Sequence, residues 1–306
     1  MEPLQEAIER ARQEREGKIG QTPGLGSGRP ENDLASEAAA LRESEQANEN
    51  LAGATDSNEE AEAPQNGAAL PVPSPPLPTP AQLRFTRTRQ VEPGDAQLAH
   101  NRVIAGNTHD PRVESYRQLR SQVLATMKRN AWHTLAITSP QENAGKTLTA
   151  VNLAISISQE VNQTVMLVDL DLRKPNVHTT LGIEISKGIV DHLMHGEPIG
   201  NILLSPGYPR FVVMPGMPQG RHASEMLTSP EMKAFLNEII NRYPDRFIIF
   251  DLPPLLRNDD AMVFTPSADA CLMVVEDGVS TREDIRRSMQ LLNHSELIGT
   301  ILNKAR

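Results

Sequence analysis

The feature that most constrains this 306-residue chain is a series of short, continuously apolar runs separated by helix-length stretches in its last two-thirds. Runs without polar alternation are typical of strands that are covered on both faces. Strands that alternate with helices predict a mostly parallel, doubly wound α/β sheet. Right-handed crossovers then gather the loops that follow the strands at one edge of the sheet, where ligands bind.

Six strands and four helices are predicted in this region. The strands are 134–138, 164–169, 211–214, 246–251, 270–275 and 297–303. The helical patterns lie near 112–129, 146–160, 230–243 and 281–294.

Composition divides the chain into three parts. Residues 1–18 form a predicted short helix, interpreted either as a solvated helix or as a docking segment for a partner or a membrane surface. Residues 19–100 are a predicted disordered linker, because residues 31–63 hold ten acidic residues against one basic residue and residues 64–80 hold seven prolines. Residues 101–306 are the predicted folded domain.

Charge and cysteine content limit the class of protein. The net charge of −9 gives no reason to expect a nucleic-acid partner. The single cysteine, Cys271, lies in an apolar run, so it is expected to be buried in a protein of a reducing compartment. The sequence has neither a signal-peptide pattern nor an apolar run of the roughly 20 residues that span a bilayer. We therefore expect a cytoplasmic protein, which only a partner would hold at a membrane.

The stretch SPQENAGKTLTA, which follows the first predicted strand and opens a helix, has the chemistry of a phosphate-binding loop. Asn143, Ala144 and Gly145 are small enough for the backbone N–H groups to curl around phosphate oxygens. Lys146 would reach the β- and γ-phosphates, and the Thr147 hydroxyl would ligate Mg²⁺. The following helix presents the positive end of its dipole to the same anion.

Carboxylates follow two other predicted strands at the same edge of the sheet. Asp169 and Asp171 are two residues apart, so their side chains leave the chain on the same side. One of them would hold the metal while the other orients or deprotonates a nucleophile. Asp251 suits a Walker-B position, because Mg²⁺ commonly uses one or two carboxylates and completes its octahedron with water. A strand-end cap is the structural alternative for any single aspartate.

These stretches resemble the Walker A, Walker A′ and Walker B motifs of the bacterial tyrosine kinases (BY-kinases). The matching residues are Thr138-Ser-Pro with Gly145-Lys146-Thr147, Val168-Asp-Leu-Asp-Leu-Arg-Lys-Pro175 and Ile249-Phe-Asp-Leu-Pro-Pro254. The Walker A motif of that family often lacks its first glycine, so Pro140 at that position is compatible with a working site. The resemblance implies a P-loop NTPase fold and an ATP- and Mg²⁺-dependent protein-tyrosine phosphotransferase of exopolysaccharide or capsule synthesis. The short N-terminal helix and the acidic linker are similar to those of the branch linked to exosortase-type clusters.

The resemblance also implies which residues act. The catalytic set is Lys146, Asp169, Asp171 and Arg173. Arg173 would contact phosphate or a neighbouring subunit, and an ordinary surface charge is the alternative for it. The metal set is Thr147, Asp171 and Asp251. The nucleotide set is Asn143, Ala144, Gly145, Lys146, Thr147, Leu148 and Asn303, with Asn303 near the adenine.

Self-association is a further expectation from the resemblance. Glu114, Arg117 and Arg120 match the family's Glu-x-x-Arg-x-x-Arg helix, which implies ring-like assembly. The expected partner is a membrane-bound polysaccharide co-polymerase or activator, which would hold the protein at the cytoplasmic face of the inner membrane.

Two other functions stay open at this stage. BY-kinases typically end in a tyrosine-rich tail, whereas the three tyrosines here are Tyr116, Tyr208 and Tyr243, with Tyr208 the best internal acceptor candidate. An ATP-binding switch of a membrane polysaccharide-assembly complex, with little kinase activity, is therefore the alternative. A partitioning-type P-loop ATPase is the weaker one, because Gln141 stands where that group carries its extra lysine.

Overall fold

The computed structural model describes residues 88–107, 109–220, 222–242 and 246–305. The predicted N-terminal helix and residues 19–87 of the predicted linker lie outside this part of the chain. Residues 88–100, which composition assigns to the linker, contain a strand, Arg89–Gln90, and a helix, Asp95–His100. The described fold therefore begins before residue 101, because Leu98 is buried against the domain and the strand pairs with the sheet.

The strands form one sheet of eight. They are β1 (Arg89–Gln90), β2 (Thr134–Thr138), β3 (Thr164–Asp169), β4 (Leu204–Ser205), β5 (Phe211–Met214), β6 (Arg246–Asp251), β7 (Ala270–Glu276) and β8 (Leu297–Asn303). Their spatial order is β1-β4-β5-β3-β6-β2-β7-β8. All neighbours are parallel except β4 and β5. The predicted doubly wound, mostly parallel sheet is thus confirmed.

Helices connect the strands. They are α1 (Asp95–His100), α2 (Val113–Arg129), α3 (Lys146–Ser158), α4 (Val177–Leu181), α5 (Ile189–His195), α6 (Ile199–Ile202), α7 (Ala223–Leu227), α8 (Pro230–Arg242), α9 (Asp260–Phe264) and α10 (Arg282–Leu291). None of the helices in the described ranges has the length and apolarity needed to cross a membrane.

The apolar core has two layers, one on each face of the sheet. On one face α3 packs against alternate residues of the central strands, among them Leu135 and Ile137 of β2. The intervening residue, Ala136, faces the other layer, which contains Cys271. Burial raises the pKa of the Cys271 thiol to about 12, so this cysteine stays protonated. With both faces covered, β2 is buried along its whole length, and its carboxyl end delivers the phosphate loop.

Candidate nucleotide-binding site

The turn between β2 and α3 depends on left-handed backbone at two positions. Gly145, the residue before α3, has φ of +96°, and Asn143 has φ of +63°. Glycine adopts this region without the steric penalty of a Cβ, and asparagine tolerates it better than most residues. A Cβ on Gly145 would also collide with the side-chain amide of Asn303. The sequence thus forms the tight turn that a phosphate loop needs.

The opening of the phosphate loop is held by the loop that follows β6. The Leu255 N–H donates to the Ser139 carbonyl (2.8 Å), and the Leu256 N–H donates to the Pro140 carbonyl (3.1 Å). The second bond uses only the backbone carbonyl of residue 140, which proline supplies just as glycine does. This geometry explains how Pro140 replaces the usual first glycine without loss of a backbone contact.

The centre of the site is formed by residues from three strand ends. The Lys146 ammonium donates to Asp171 (Nζ–Oδ2 2.8 Å), and the Thr147 hydroxyl donates to Asp251 (Oγ1–Oδ2 2.6 Å). These contacts join residues 25 and 104 positions apart in the sequence. Sheet register explains them, because Ile137 of β2 and Asp169 of β3 both lie opposite Asp251 of β6.

Asp169 has different surroundings from Asp171. It is fully buried, and its Oδ2 accepts the N–H groups of Asn176 and Val177 (both 2.9 Å) at the start of α4. Its Oδ1 accepts the Asp171 N–H (3.2 Å). Asp169 therefore anchors the Walker A′ loop and α4, whereas the Asp171 carboxylate lies on the wall of the cleft.

Three buried carboxylates, those of Asp169, Asp171 and Asp251, lie near the largely buried ammonium of Lys146, and they perturb one another's pKa values. Burial, with the charge of Asp251 next, raises the pKa of Asp169 well above its ordinary value. Burial raises the pKa of Asp251 to about 6, although Lys146 and the Thr147 hydroxyl oppose it. Burial pulls the pKa of Lys146 down, but the charges of Asp251 and Asp171 outweigh it, so the pKa is raised overall. The lysine therefore stays charged, whereas burial favours the protonated forms of Asp169 and Asp251 in the nucleotide-free site.

A cleft of about 640 Å³ opens beside these groups. Its wall includes the predicted residues Asn143, Gly145, Lys146, Thr147, Leu148 and Asp171. It also includes residues that sequence reasoning did not single out for this site: Asn101, Glu142, Pro175, Asn176, Thr179, Thr180, Pro254 and Lys304. Glu142, Pro175 and Pro254 belong to the quoted motifs, although no role was assigned to them. The other five residues lie outside those motifs, so only their place in the fold identifies them.

Asn303, which is predicted to lie near the adenine, is the last residue of β8. The Asn303 amide donates to the Ala144 carbonyl (Nδ2–O 2.8 Å), so it contacts the phosphate loop directly. Ala144 itself is buried. Lys304, which follows with φ of +59°, lines the cleft and pairs with Glu276 (Nζ–Oε1 2.8 Å). Lys304 thus adds a positive charge at this end of the cleft, which the sequence pattern did not reveal.

Arg173 does not line the cleft. Its Nε and Nη2 donate to the two oxygens of Asp260 (2.6 and 3.0 Å), and its Nη1 donates to the Gly220 carbonyl (3.0 Å). This differs from the phosphate contact that the motif implies, because Asp260 is buried and needs a cationic partner. The hydrogen bond to Asp260 raises the pKa of Arg173. Asp260 itself is fully buried.

Gln141 occupies the position at which partitioning ATPases carry an additional lysine. Its side-chain amide donates to Asp284 (Nε2–Oδ2 2.8 Å) in the first turn of α10. Asp284 in turn accepts the N–H and hydroxyl of Thr281, which caps that helix. Gln141 is therefore engaged within its own chain.

The residues at the centre fit a hard divalent cation. Asp251 Oδ1 is buried and has no hydrogen-bond partner, although Oδ2 of the same carboxylate is bonded to Thr147. Buried carboxylate oxygens normally have a partner, so this unpaired oxygen, beside the Thr147 hydroxyl, is placed to bind a cation. Oxygen ligands of this type are those that Mg²⁺ prefers.

Comparison with known proteins agrees with this geometry. A family model described as an AAA domain matches residues 133–303. The tyrosine-protein kinase YwqD of Bacillus subtilis is 30% identical over 192 residues, which are 62% of this chain and 80% of YwqD. The tyrosine-protein kinase Etk of Escherichia coli is 29% identical over 64% of this chain and 27% of its own length.

The solved kinase domain of the Escherichia coli tyrosine kinase ETK superposes with a TM-score of 0.61 at 28% identity. The superposition covers 66% of this chain and 79% of that domain. The chain therefore belongs to the AAA domain family and, within it, to the bacterial tyrosine kinases.

Proposed function

We propose that the protein is an ATP- and Mg²⁺-dependent protein-tyrosine phosphotransferase. The observation that carries the proposal is the convergence at one cleft of Lys146 and Thr147 from the phosphate loop with Asp171 and Asp251 from two other strands. Phosphoryl transfer asks little covalent chemistry of a protein, since positioning and charge neutralisation supply most of the catalysis. The site contains backbone N–H groups and side chains that can position the phosphates, and a lysine that can neutralise their charge.

Each side chain has a role in this proposal. Lys146 and the loop N–H groups bind the phosphates, while Leu148 and Asn303 contact the nucleoside. Thr147, Asp171 and Asp251 would hold Mg²⁺, which when bound neutralises phosphate charge. Asp171, on the cleft wall, accepts the proton of the acceptor hydroxyl. It also holds the hydroxyl oxygen in line with the phosphorus–oxygen bond that breaks. Asp169 supports this group from behind through its backbone hydrogen bonds.

The acceptor is proposed to lie on another chain or another protein. Tyr116 is half-buried on α2, and burial raises the pKa of its hydroxyl. Tyr208 is half-buried as well, with its ring 6.3 Å from that of Phe211, and burial raises its pKa too. Tyr243 lies outside the described residues. Neither described tyrosine belongs to the wall of the cleft.

This observation also favours a second candidate, an ATP-binding switch in a membrane polysaccharide-assembly complex with little kinase activity. Purified full-length protein incubated with ATP and Mg²⁺, with and without a membrane co-polymerase fragment, separates the two. We expect phosphotyrosine on the partner or on the protein itself, mapped by mass spectrometry. Nucleotide binding without any phosphotyrosine would contradict the kinase proposal and favour the switch.

We propose that the protein works in exopolysaccharide or capsule synthesis, at the cytoplasmic face of the inner membrane and through a membrane-bound co-polymerase. Membership of the bacterial tyrosine kinases supports this place in the cell, together with the motifs of the exopolysaccharide-linked branch.

Self-association through α2 is the related proposal for a second copy of the chain. Glu114 and Arg117 form a loose, exposed pair (Oε2–Nη1 3.5 Å) that is available to a neighbour. Arg120 is committed within the chain, because it donates to the Ser156 carbonyl (3.0 Å) and pairs with Glu160 (3.0 Å). We therefore assign the bridging role to Glu114 and Arg117, and a helix-packing role to Arg120.

Charge reversal at Arg117 is expected to lower the assembled mass measured by light scattering. Arg117→Glu places a like charge beside Glu114 and opposes any acidic group that Arg117 meets on a neighbour. Arg129→Glu, on the exposed last turn of the same helix, changes the net charge equally and is expected to leave the mass unchanged. Equal masses for Arg117→Glu and the wild type would contradict the bridging role.

A further inference from the structure

The Walker A′ loop, residues 170–176, is attached to the fold on the side away from the cleft. Leu170 and Leu172 are fully buried in the core, and the Leu172 carbonyl accepts the Gln219 N–H (2.6 Å). Between these leucines, the Asp171 carboxylate reaches the cleft and contacts Lys146. The position of Asp171 therefore depends on what holds the loop from behind.

Arg173 provides one such attachment, and all of its donor atoms are used in it. The guanidinium forks onto both oxygens of Asp260 and uses its remaining nitrogen on the Gly220 carbonyl. We call this ion pair the Arg173–Asp260 clamp. It joins three segments: the Walker A′ loop, the loop after β5 and the start of α9.

The Asp260 end of the clamp is rigidly mounted. Asp260 begins α9, and its side chain is 1% exposed. Phe264 of the same helix is fully buried and packs edge-on against Phe250 of β6, with ring centroids 5.0 Å apart. Asp251 is the last residue of the same strand, β6. The clamp therefore fixes the loop that carries Asp171 to the strand that carries Asp251, the other proposed metal ligand.

We infer that Asp260 is a positioning residue, which holds Asp171 in place for the metal and the phosphates by clamping Arg173. A buried ion pair is weak evidence for stability, since an apolar pair of similar volume often serves as well. It is better understood as a device for geometry, because a bidentate fork fixes distance and angle together. Groups that orient the ligands of a metal typically change its affinity or the activity by 10- to 100-fold.

The inference rests on the proposed function, and the adjacent pair Asp259 and Asp260 allows a matched test. Both receive the same Asp→Asn substitution in the full chain, since Asp259 is exposed and Asp260 is buried. Titration calorimetry measures the affinity for ADP with and without Mg²⁺, and ATP turnover is measured in parallel. For Asp260→Asn we expect a loss of roughly tenfold or more in the Mg²⁺-dependent gain of affinity and in turnover, with metal-free ADP affinity nearly unchanged. Asp259→Asn should retain all three.

A double variant separates positioning from mere stability. Arg173→Gln with Asp260→Asn removes both charges, so no unpaired charge stays buried. We expect its thermal midpoint to recover toward the wild type while the Mg²⁺-dependent gain stays lost. Recovery of both the thermal midpoint and the Mg²⁺-dependent gain in the double variant would overturn the inference. A normal Mg²⁺-dependent gain in Asp260→Asn would overturn it too, as would a loss of metal-free ADP affinity as large as the loss of that gain.

The wild-type chain distinguishes this inference from the proposed function. A wild-type protein that gains ADP affinity with Mg²⁺ but transfers no phosphate contradicts the kinase proposal. The role of the clamp is then still tested by comparing the ADP affinities of the wild type and Asp260→Asn. A wild type that transfers phosphate while Asp260→Asn matches it overturns the clamp alone. A wild type without any Mg²⁺-dependent gain overturns both the clamp and the metal site.

Discussion

Replacement of Lys146 by methionine is expected to lower ATP turnover by at least about 10²-fold and to abolish phosphotyrosine formation. The ammonium is a preorganised donor at the point where the phosphates would bind, and it is only 12% exposed. Methionine is also unbranched and is only one atom shorter than lysine, but it supplies no charge. The developing charge on the transferred group would then lack the positive charge of the lysine, which lies beside Asp171.

Lys233→Met is the matched control for this prediction. Lys233 is an exposed lysine of α8 and is not part of the cleft wall, so the same substitution removes a charge without touching the site. Turnover and phosphotyrosine in this variant are expected to equal those of the wild type. Undiminished activity in Lys146→Met would refute the assignment of the phosphate loop itself.

Replacement of Asp251 by asparagine is expected to have two opposite effects. The first is loss of the Mg²⁺-dependent part of nucleotide affinity, because the unpaired Oδ1 and the hydroxyl-bonded Oδ2 belong to one carboxylate. The second is a gain in stability of the nucleotide-free protein at high pH. The second effect follows from the pKa of Asp251, which burial raises to about 6.

The direction of the stability effect follows from proton linkage. An unfolded aspartate has a pKa of about 3.9, so between this value and 6 the folded state holds the proton more tightly. The favourable contribution of Asp251 is therefore complete below pH 4 and is lost as the pH rises through 6. Asparagine cannot ionise and avoids that loss, although its amide leaves one buried donor without a partner. We expect a net gain of about 1 to 2 kcal/mol at pH 8.

Urea unfolding at pH 4 and pH 8, without nucleotide, measures this effect. The difference between Asp251→Asn and the wild type should be larger at pH 8. Asp277→Asn, an exposed aspartate after β7, should show no such pH dependence. An Asp251→Asn protein that is less stable than the wild type at pH 8, or that keeps the full Mg²⁺-dependent affinity, would contradict the prediction.

Much of the fold could be predicted because burial on both faces of a parallel sheet leaves a direct trace in the sequence. Strands β2, β3, β5, β6 and β8 have the predicted bounds, and β7 is one residue longer. The short strands β1 and β4 have only two residues each, too few to form a pattern. The folded residues before 101 were missed for a related reason, since their polar composition resembles the linker and a few contacts, such as the burial of Leu98, hold them.

The amino-acid sequence by itself determined the parallel α/β sheet and the chemistry at its edge, because apolar runs, a glycine-lysine-threonine turn and strand-end aspartates are local features. Only the tertiary structure decided how those groups divide the work. Asp169 and Asp171 are chemically identical and two residues apart, yet one is enclosed by backbone N–H groups and the other opens to the cleft. Arg173 and Asp260 are 87 positions apart and meet only because β3 and β6 are neighbours in the sheet. The burial of a side chain and its ion-pair partner depend on residues that are distant in the sequence, and only the folded chain brings those residues together.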